Sequence, residues 1–410
     1  MRPFPNLRHV RLFAHAVELA SLSKAAEAVR ITQPAASQAI AKLERFFGGP
    51  LFERRGGGVF ATERGRMVAV RAGRALDLLR QANQRLARQS RIGRALAQDL
   101  LETHATIAHL RALAAFARTG SFSAAARLLD QAEPSVQRAA RELERIGGVP
   151  LFDGRQAVRL TPTGMMLAGS ASLVLKELES ASEEVGELDG RFDGRIVVGT
   201  LPLVRTRVVP RAVADWTRKR PGASIEIVDG SYDLLLHGLS IGEIDMLVGA
   251  LRASPPPRGL DQRPLFEDGL SIIARAGHPL TARTTIDHAE LFDYPWVLPR
   301  RGTPSRAIFE QFAAESGAAA DRFGIIETGS LVVLRGILTE SDRLTILSRR
   351  QIAHEERSGL LKVLPVDLAR TERTIGISTR SGWKPTLLQS EFLDALDRAG
   401  AERDEPSPSR

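Results

Sequence analysis

The 410-residue sequence predicts a multidomain chain: two all-α winged helix-turn-helix domains, each running into a long linker helix, followed by an α/β domain. Three observations predict it. The stretch from Ser21 to Glu44 has the spacing of two short helices across a sharp turn. The same pattern returns one hundred residues later, without a gap, from Ser121 to Glu144. From Arg195 onward the apolar residues regroup into short runs between helical segments, the pattern of strands joined by crossover helices.

The first domain, residues 4–62, builds outward from its apolar spacing. Leu7, Val10, Phe13, Ala14 and Val17 form a helix on which the others pack. Ala25, Ala26 and Val29 share one face of a short alanine-rich helix. Thr32 then has the chemistry of an N-cap, and Pro34 suits a first helical turn, where its missing N–H costs nothing. Ala36, Ile40 and Leu43 follow at helical spacing and are expected to be buried, which leaves Thr32, Gln33, Ser37, Gln38 and Lys42 on the other side. A compact helix pair with a polar, uncharged-to-basic face is the shape of a DNA-reading helix-turn-helix. Leu51 to Thr62 reads as a β-wing, with Arg54 and Arg55 leading into the Gly56-Gly57-Gly58 turn.

These residues carry a family resemblance. S-x-S-x-A-A at Ser21–Ala26, T-Q-P-A-A-S at Thr32–Ser37, Leu43-Glu44, P-L-F-E-R at Pro50–Arg54 and T-x-x-G at Thr62–Gly65 together resemble LysR-type transcriptional regulators. One departure is Gln38, where that family usually carries arginine. The resemblance implies a regulator that binds double-stranded DNA, assembles as a homodimer or homotetramer and has RNA polymerase as a further candidate partner. On this reading Gln33, Ser37 and Gln38 face base edges, while Thr32, Lys42, Arg54 and Arg55 hold phosphates.

Charge agrees with that placement. The chain has a formal net charge of +9, and residues 1–91 carry 17 basic against 6 acidic side chains, a net of +11. Residues 92–190 carry 10 against 13, and the remainder is close to balanced with 30 against 29. The whole excess sits where phosphate contact is expected. With no cysteine there is no disulfide framework, thiolate metal site or cysteine nucleophile. The start, Met1-Arg2-Pro3-Phe4-Pro5, has no apolar stretch behind it, and no run is long enough to span a membrane. A cytoplasmic protein with no membrane partner is expected.

Residues 63–91 read as one linker helix with Val70, Leu76, Leu79, Ala82 and Leu86 as its apolar stripe; in the family resembled, this helix dimerises the DNA-binding head. The repeat then begins. His109, Arg111 and Ala114 match His9, Arg11 and Ala14, and Ser121, Ser123, Pro134, Leu143, Glu144, Pro150, Leu151 and Phe152 match in the same register. About a third of the paired positions are identical, the mark of a duplicated domain, here residues 104–162. The copies differ on the reading face: Glu133 replaces Gln33, Gln137 replaces Ser37 and Arg138 replaces Gln38. The wing becomes Asp153-Gly154-Arg155 and loses an arginine. Ser135, Gln137, Arg138 and Arg141 are the candidates for a second, weaker DNA contact; the alternative is a packing or dimerisation module derived from a DNA-binding one. Residues 163–190 form a second linker helix, with Leu167, Val174, Leu178 and Val185 on one stripe. It ends in an acidic stretch, Glu183 to Gly194, expected to be the hinge into the last domain.

In residues 191–400 the expected strands are 196–199, 224–228, 246–249, 270–274, 296–298, 324–327, 344–347, 361–364 and 375–378, with parallel sheets and crossover helices. The order, and Gly242-Glu243-Ile244-Asp245 before a strand, resemble the LysR effector domain. That resemblance implies two lobes with a cleft between them, like periplasmic solute-binding proteins. Ligands in such sheets bind beyond the carboxyl ends of strands. The cleft candidates are therefore Thr200, Leu201, Ser231, Arg300, Arg301, Thr303, Thr328 and Ser330, with Arg306 adding charge. The expected ligand is a small, anionic molecule. The alternative is an α/β domain that serves only oligomerisation. Catalysis has little support: the eight histidines lack metal-ligand spacing, no G-x-S-x-G stands between a strand and a helix, and Gly56-Gly57-Gly58 has no following Lys-Ser/Thr. No cofactor and no metal are expected.

Overall fold

The computed structural model describes residues 3–55, 58–88, 100–154, 158–252, 256–317, 324–368 and 371–402. The chain divides into two compact units, the first made almost wholly of residues 1–194 and the second of the rest.

The first unit holds both helix-turn-helix modules. In order come α1 (Leu7–Leu19), α2 (Leu22–Ala28), α3 (Gln33–Phe46), β1 (Phe52–Arg55), β2 (Gly58–Ala61) and α4 (Glu63–Ala87). The repeat is α5 (Leu100–His104), α6 (Ile107–Thr119), α7 (Phe122–Leu129), α8 (Glu133–Gly147), β3 (Phe152–Asp153), β4 (Arg159–Leu160) and α9 (Pro162–Leu188). Ser21 and Ser121 cap α2 and α7 by accepting from Lys24 N and Ala124 N. The turns that follow are the same in both copies. Arg30 and Asp130 take left-handed backbone, φ 56° and 53°, and Ile31 N and Gln131 N donate back to Ala26 O and Ala126 O. One hydrophobic core runs through both modules, from Leu7 to Val185.

Three expectations change here. Val70 is exposed; the buried stripe of α4 runs through Val68, Ala72, Ala75, Leu76, Leu79, Ala82 and Leu86, because the helix turns Arg71 inward. The face expected to dimerise the head is covered by α9 of the same chain. The stretch expected as a hinge is still helix as far as Leu188, with Glu184 and Glu187 buried, because those carboxylates have cationic or packing partners inside the unit. Of the first linker helix, residues 89–91 lie outside the described residues.

The second unit has three sheets, one in the first lobe and two in the second. The largest takes the order β6-β5-β7-β14-β8, from β5 (Arg195–Thr200), β6 (Ser224–Asp229), β7 (Met246–Ala250), β8 (Leu260–Asp268) and β14 (Arg373–Arg380). The other lobe holds β9 (Ser271–Arg275), β10 (Trp296–Leu298), β11 (Ile325–Glu327), β12 (Thr345–Leu347) and β13 (Leu361–Val363). There β9 lies between β12 and β13, β10 pairs β11, and a bridge between Trp296 and Leu344 joins the two sets. Flanking helices are α10 (Val208–Lys219), α11 (Tyr232–Ser240), α12 (Pro304–Glu315), α13 (Leu331–Thr339), α14 (Ala353–Arg357) and α15 (Leu387–Ala401).

The sheets are mixed and not purely parallel. β5 and β7 are parallel, as are β10 and β11, but β14 runs antiparallel to β7 and β8, and β9 antiparallel to β12 and β13. The chain leaves the first lobe through β8 and returns as β14, so the returning strand opposes those laid down before it. β8 was not among the expected strands: Pro264 and its charged residues hide it, as suits an edge strand. Where the two crossings meet, buried Asp268 accepts from Arg373 Nη2 at 3.0 Å and from Ser348 Oγ at 2.5 Å, and Arg373 Nη1 donates to Ser305 Oγ at 2.6 Å.

Candidate nucleic-acid interface and effector cleft

α3 presents the expected face. Thr32, Gln33, Ser37, Gln38 and Lys42 are exposed, while Ala36, Ile40 and Leu43 are buried. Thr32 stands at the N-cap position, where its carbonyl accepts from Ala36 N at 2.9 Å but its hydroxyl makes no capping bond. Glu44 is turned inward and its Oε1 accepts from Leu51 N at 3.0 Å, which removes a carboxylate from the reading face and aims the wing. Phe52 packs on Phe13 with ring centroids 5.1 Å apart. Arg54 and Arg55 are exposed on β1, with Arg55 Nη2 3.0 Å from Glu53 Oε2. Past the wing, Thr62 Oγ1 donates to Pro50 O at 2.8 Å and accepts from Gly65 N at 3.0 Å. A Cβ on Gly65 would sit 2.0 Å from Leu51 O, so that position must be glycine. The potential here is positive: burial and then the Lys42 and Arg8 cations hold the His9 imidazole below its ordinary 6.5.

The second module repeats the braces and changes the face. Glu144 Oε1 accepts from Leu151 N at 2.9 Å, Thr161 Oγ1 donates to Pro150 O at 2.9 Å, and a Cβ on Gly164 would sit 2.1 Å from Leu151 O. Ala132 occupies the N-cap position of α8 with no hydroxyl to offer, and Glu133 opens the helix, where its charge suits the helix dipole but opposes a phosphate. Ser135, Gln137 and Arg138 are exposed. Arg141 is held against its own module, its guanidinium 4.9 Å from the Phe152 ring centroid and 3.0 Å from Glu144. Glu142 stands where the first module has Lys42; a hydrogen bond from Arg145 holds its carboxyl below the usual range. The Ala132 and Glu142 exchanges are legible in the register of the repeat. β3 and β4 have two residues each, and Arg155 lies outside the described residues.

In the α/β unit the loops after β10 and β11 lie side by side, because those strands are paired in parallel. Arg300 packs against Gly329, and Arg300 and Arg301 are both exposed. Thr303 and Ser330 hydroxyls cap α12 and α13 by accepting from Arg306 N and Val333 N, Thr328 Oγ1 accepts from Ser330 N, and Ser231 Oγ accepts from Leu234 N. Thr200 is fully buried, its Oγ1 accepting from Arg205 Nε at 3.0 Å, and Leu201 packs against Gly249. Arg306 is 3% exposed and already paired with Glu310 and Glu327, so its charge is spent inside the lobe. A cavity of about 900 Å³ is lined by Thr206, Arg207, Arg211, Leu331, Arg335 and Arg350, with Arg357 and His354 on the same wall. None of the sequence candidates lines it; the arginine density of residues 349–357 was its signal. Among the described residues no cluster of potential metal ligands occurs, and no helix is long and apolar enough to cross a membrane.

Comparison with known proteins places these parts. The family description "LysR substrate binding domain" matches residues 189–401, and "Bacterial regulatory helix-turn-helix protein, lysR family" matches twice, at 7–66 and 107–165. The chain is 34% identical over 394 residues to the HTH-type transcriptional regulator GalR of Pseudomonas putida, covering 96% of each, so the alignment runs through both modules. It is 30% identical over 297 residues to PcaQ of Agrobacterium fabrum, covering 72% of this chain and 94% of that one. Among solved structures, full-length OxyR from Pseudomonas aeruginosa aligns with a TM-score of 0.56 at 23% identity, over 72% of this chain and 95% of that one. Full-length CbnR in complex with its target DNA aligns with a TM-score of 0.51 at 18% identity, over 72% and 99%.

Proposed function

The chain belongs to the LysR family of transcriptional regulators, and we propose that α3 is the element that reads its operator. Gln33, Ser37 and Gln38 meet base edges, and Thr32, Lys42, Arg54 and Arg55 hold phosphates. The observation that carries this is the exposed face of α3, from which Glu44 is withdrawn to brace the wing. Losing one good base contact costs about 1–3 kcal/mol and relaxes specificity at one position. A Gln33→Ala, Ser37→Ala protein with unchanged operator affinity in a titration would sink the assignment.

The second unit senses a small anion. Arg300 and Arg301 lie exposed at the carboxyl end of the β10–β11 pair, beside the helix starts at Thr303 and Ser330, where backbone N–H groups favour negative charge. A ligand bound only to the folded protein raises its melting temperature. Small carboxylates should therefore stabilise the parent, and Arg300→Ala, Arg301→Ala should lose that shift while operator binding persists. A normal shift in this variant would place the site elsewhere, and no shift with any anion would favour a unit that serves only oligomerisation. The protein is a cytoplasmic, non-enzymatic regulator that works as a homodimer or homotetramer.

A further inference from the structure

We infer that each chain carries its own two-fold DNA-binding head: the two helix-turn-helix modules pair within one chain, as two copies of a dimeric reader would, and present two unlike recognition helices to two unlike half-sites. The inference rests on the reading that α3 contacts DNA and extends it to the whole first unit.

The pairing is antiparallel. Arg64, near the start of α4, binds Asp189 past the end of α9. Arg71, only 1% exposed, reaches Glu177 at 3.0 Å and Glu184 at 2.5 Å, and Arg74 reaches Glu177 at 2.9 Å. Thr62 and Thr161 hold the same place in the repeat, so Leu76 and Leu175 are counterparts; both are buried, and the ion pairs centre on them. Reciprocity is the mark of a two-fold interface: a residue meets the same region that its own counterpart occupies. The counterparts Arg11 and Arg111 behave so. Arg11 Nη1 donates to Glu102 O at 3.0 Å, just ahead of α6, and the Arg111 guanidinium lies 5.8 Å from the ring centroid of Phe4, just ahead of α1.

Charge makes the pairing heterotypic. In the repeat register the places of Glu177 and Glu184 on α9 are taken on α4 by Leu78 and Arg85, and the place of Arg71 is taken on α9 by Ser170. Two copies of α4 would leave Arg71 buried without a carboxylate, and two copies of α9 would leave the glutamates without a cation. Unpaired buried charge disfavours both. Only about a dozen residues separate Ala87 from Leu100, so the chain's own α9 is held at high effective concentration. Protein two-fold symmetry is mirrored in paired half-sites, but α3 and α8 differ at 33/133, 37/137, 38/138 and 42/142. The site one chain reads is therefore not a palindrome.

The full-length protein tests this directly, because it has no cysteine of its own. Arg64→Cys, Asp189→Cys protein treated with a short bismaleimide should give a product that runs as a single linked chain on a denaturing gel, and so should Arg74→Cys, Glu177→Cys. Chain-to-chain products, or no link from either pair, would overturn the intrachain pairing. Sites selected from random duplex DNA by the full-length protein should contain two dissimilar half-sites. Gln33→Ala, Ser37→Ala should lose about tenfold or more discrimination in one of them, and Gln137→Ala, Arg138→Ala in the other only. Loss in the same half-site, identical inverted half-sites, or no effect of the second variant would overturn the inference. If the Gln33, Ser37 variant alone has no effect, the reading of α3 fails, while the crosslink still reports on the head.

Discussion

Glu44 and Glu144 do the same work in the two modules, each accepting from the backbone N–H of the leucine that opens its wing. Two residues earlier, Lys42 and Glu142 differ in sign: one is an exposed cation and the other a half-buried carboxylate bonded to Arg145. The same division holds throughout. Thr62 and Thr161, Gly65 and Gly164, Arg30 and Asp130 keep identical geometry, whereas Thr32 faces Ala132 and Gln33 faces Glu133 in the alignment. Positions that fix the backbone have been held after duplication, and positions that face outward have been free to differ. The second module is a complete scaffold whose outer face carries Glu133 and Glu142 where the first carries Gln33 and Lys42.

The largest test of that comparison concerns the helices that join the modules. Arg71→Met should destabilise the first unit by about 3–5 kcal/mol, because it strands the buried Glu184 and leaves Glu177 with Arg74 alone. Ser170→Ala, at the counterpart position, should cost well under that, and urea unfolding followed on both variants gives the contrast. Similar losses at the two positions would mean that the network contributes nothing specific.

Gly65→Ala and Gly164→Ala should each cost about 3 kcal/mol, since the added methyl would overlap a carbonyl oxygen that cannot move without the wing. Nearly equal melting shifts are expected. A harmless Gly164→Ala would show that the second scaffold has loosened after all.

Smaller effects separate the faces. Lys42→Glu should weaken binding to every DNA sequence and flatten the salt dependence by roughly 0.9 in slope, and Glu142→Lys should steepen it by about as much, one phosphate contact being lost or gained. If Glu142→Lys leaves the slope unchanged, α8 does not approach DNA.

The least effect is on a proton. Lys42 helps hold His9 below 6.5, while Glu142 works the other way on His109, whose burial still leaves it lowered. Lys42→Glu should raise the His9 titration midpoint, readable from its ring proton shifts. The sign of the linkage follows. The His9 environment favours the neutral ring, so its contribution to stability is present above 6.5 and is lost as pH falls through the lower folded value. Acid destabilisation of the first unit below pH 6.5 should therefore ease in Lys42→Glu.

Much of this was legible in the chain. Apolar spacing placed the helices of the first module, the register of the repeat carried them to the second, and the exposed side of α3 followed from the buried one; the short α5 lay outside both signals. Strands such as Trp296–Leu298 were visible as short apolar runs. Less was legible where a residue's meaning depends on a distant partner. Pro264 and its charged neighbours conceal β8, and the hydroxyls of Thr303 and Ser330, candidates for the cleft, also cap the starts of α12 and α13. Arg306 looked available until Glu310 and Glu327 were found beside it.

The sequence by itself determined most of the local elements, the duplication and the family, because periodicity, caps and turn residues act over a few neighbours. It also determined that the positive charge lies in the first module. Only the tertiary structure decided that α4 takes α9 of its own chain, that Glu184 to Glu187 is buried helix, and that five arginines wall one cavity. An amphipathic stripe states that a face must be covered and cannot state by what; that is settled by which distant side chains complete its buried charges, and here Glu177 and Glu184 complete Arg71.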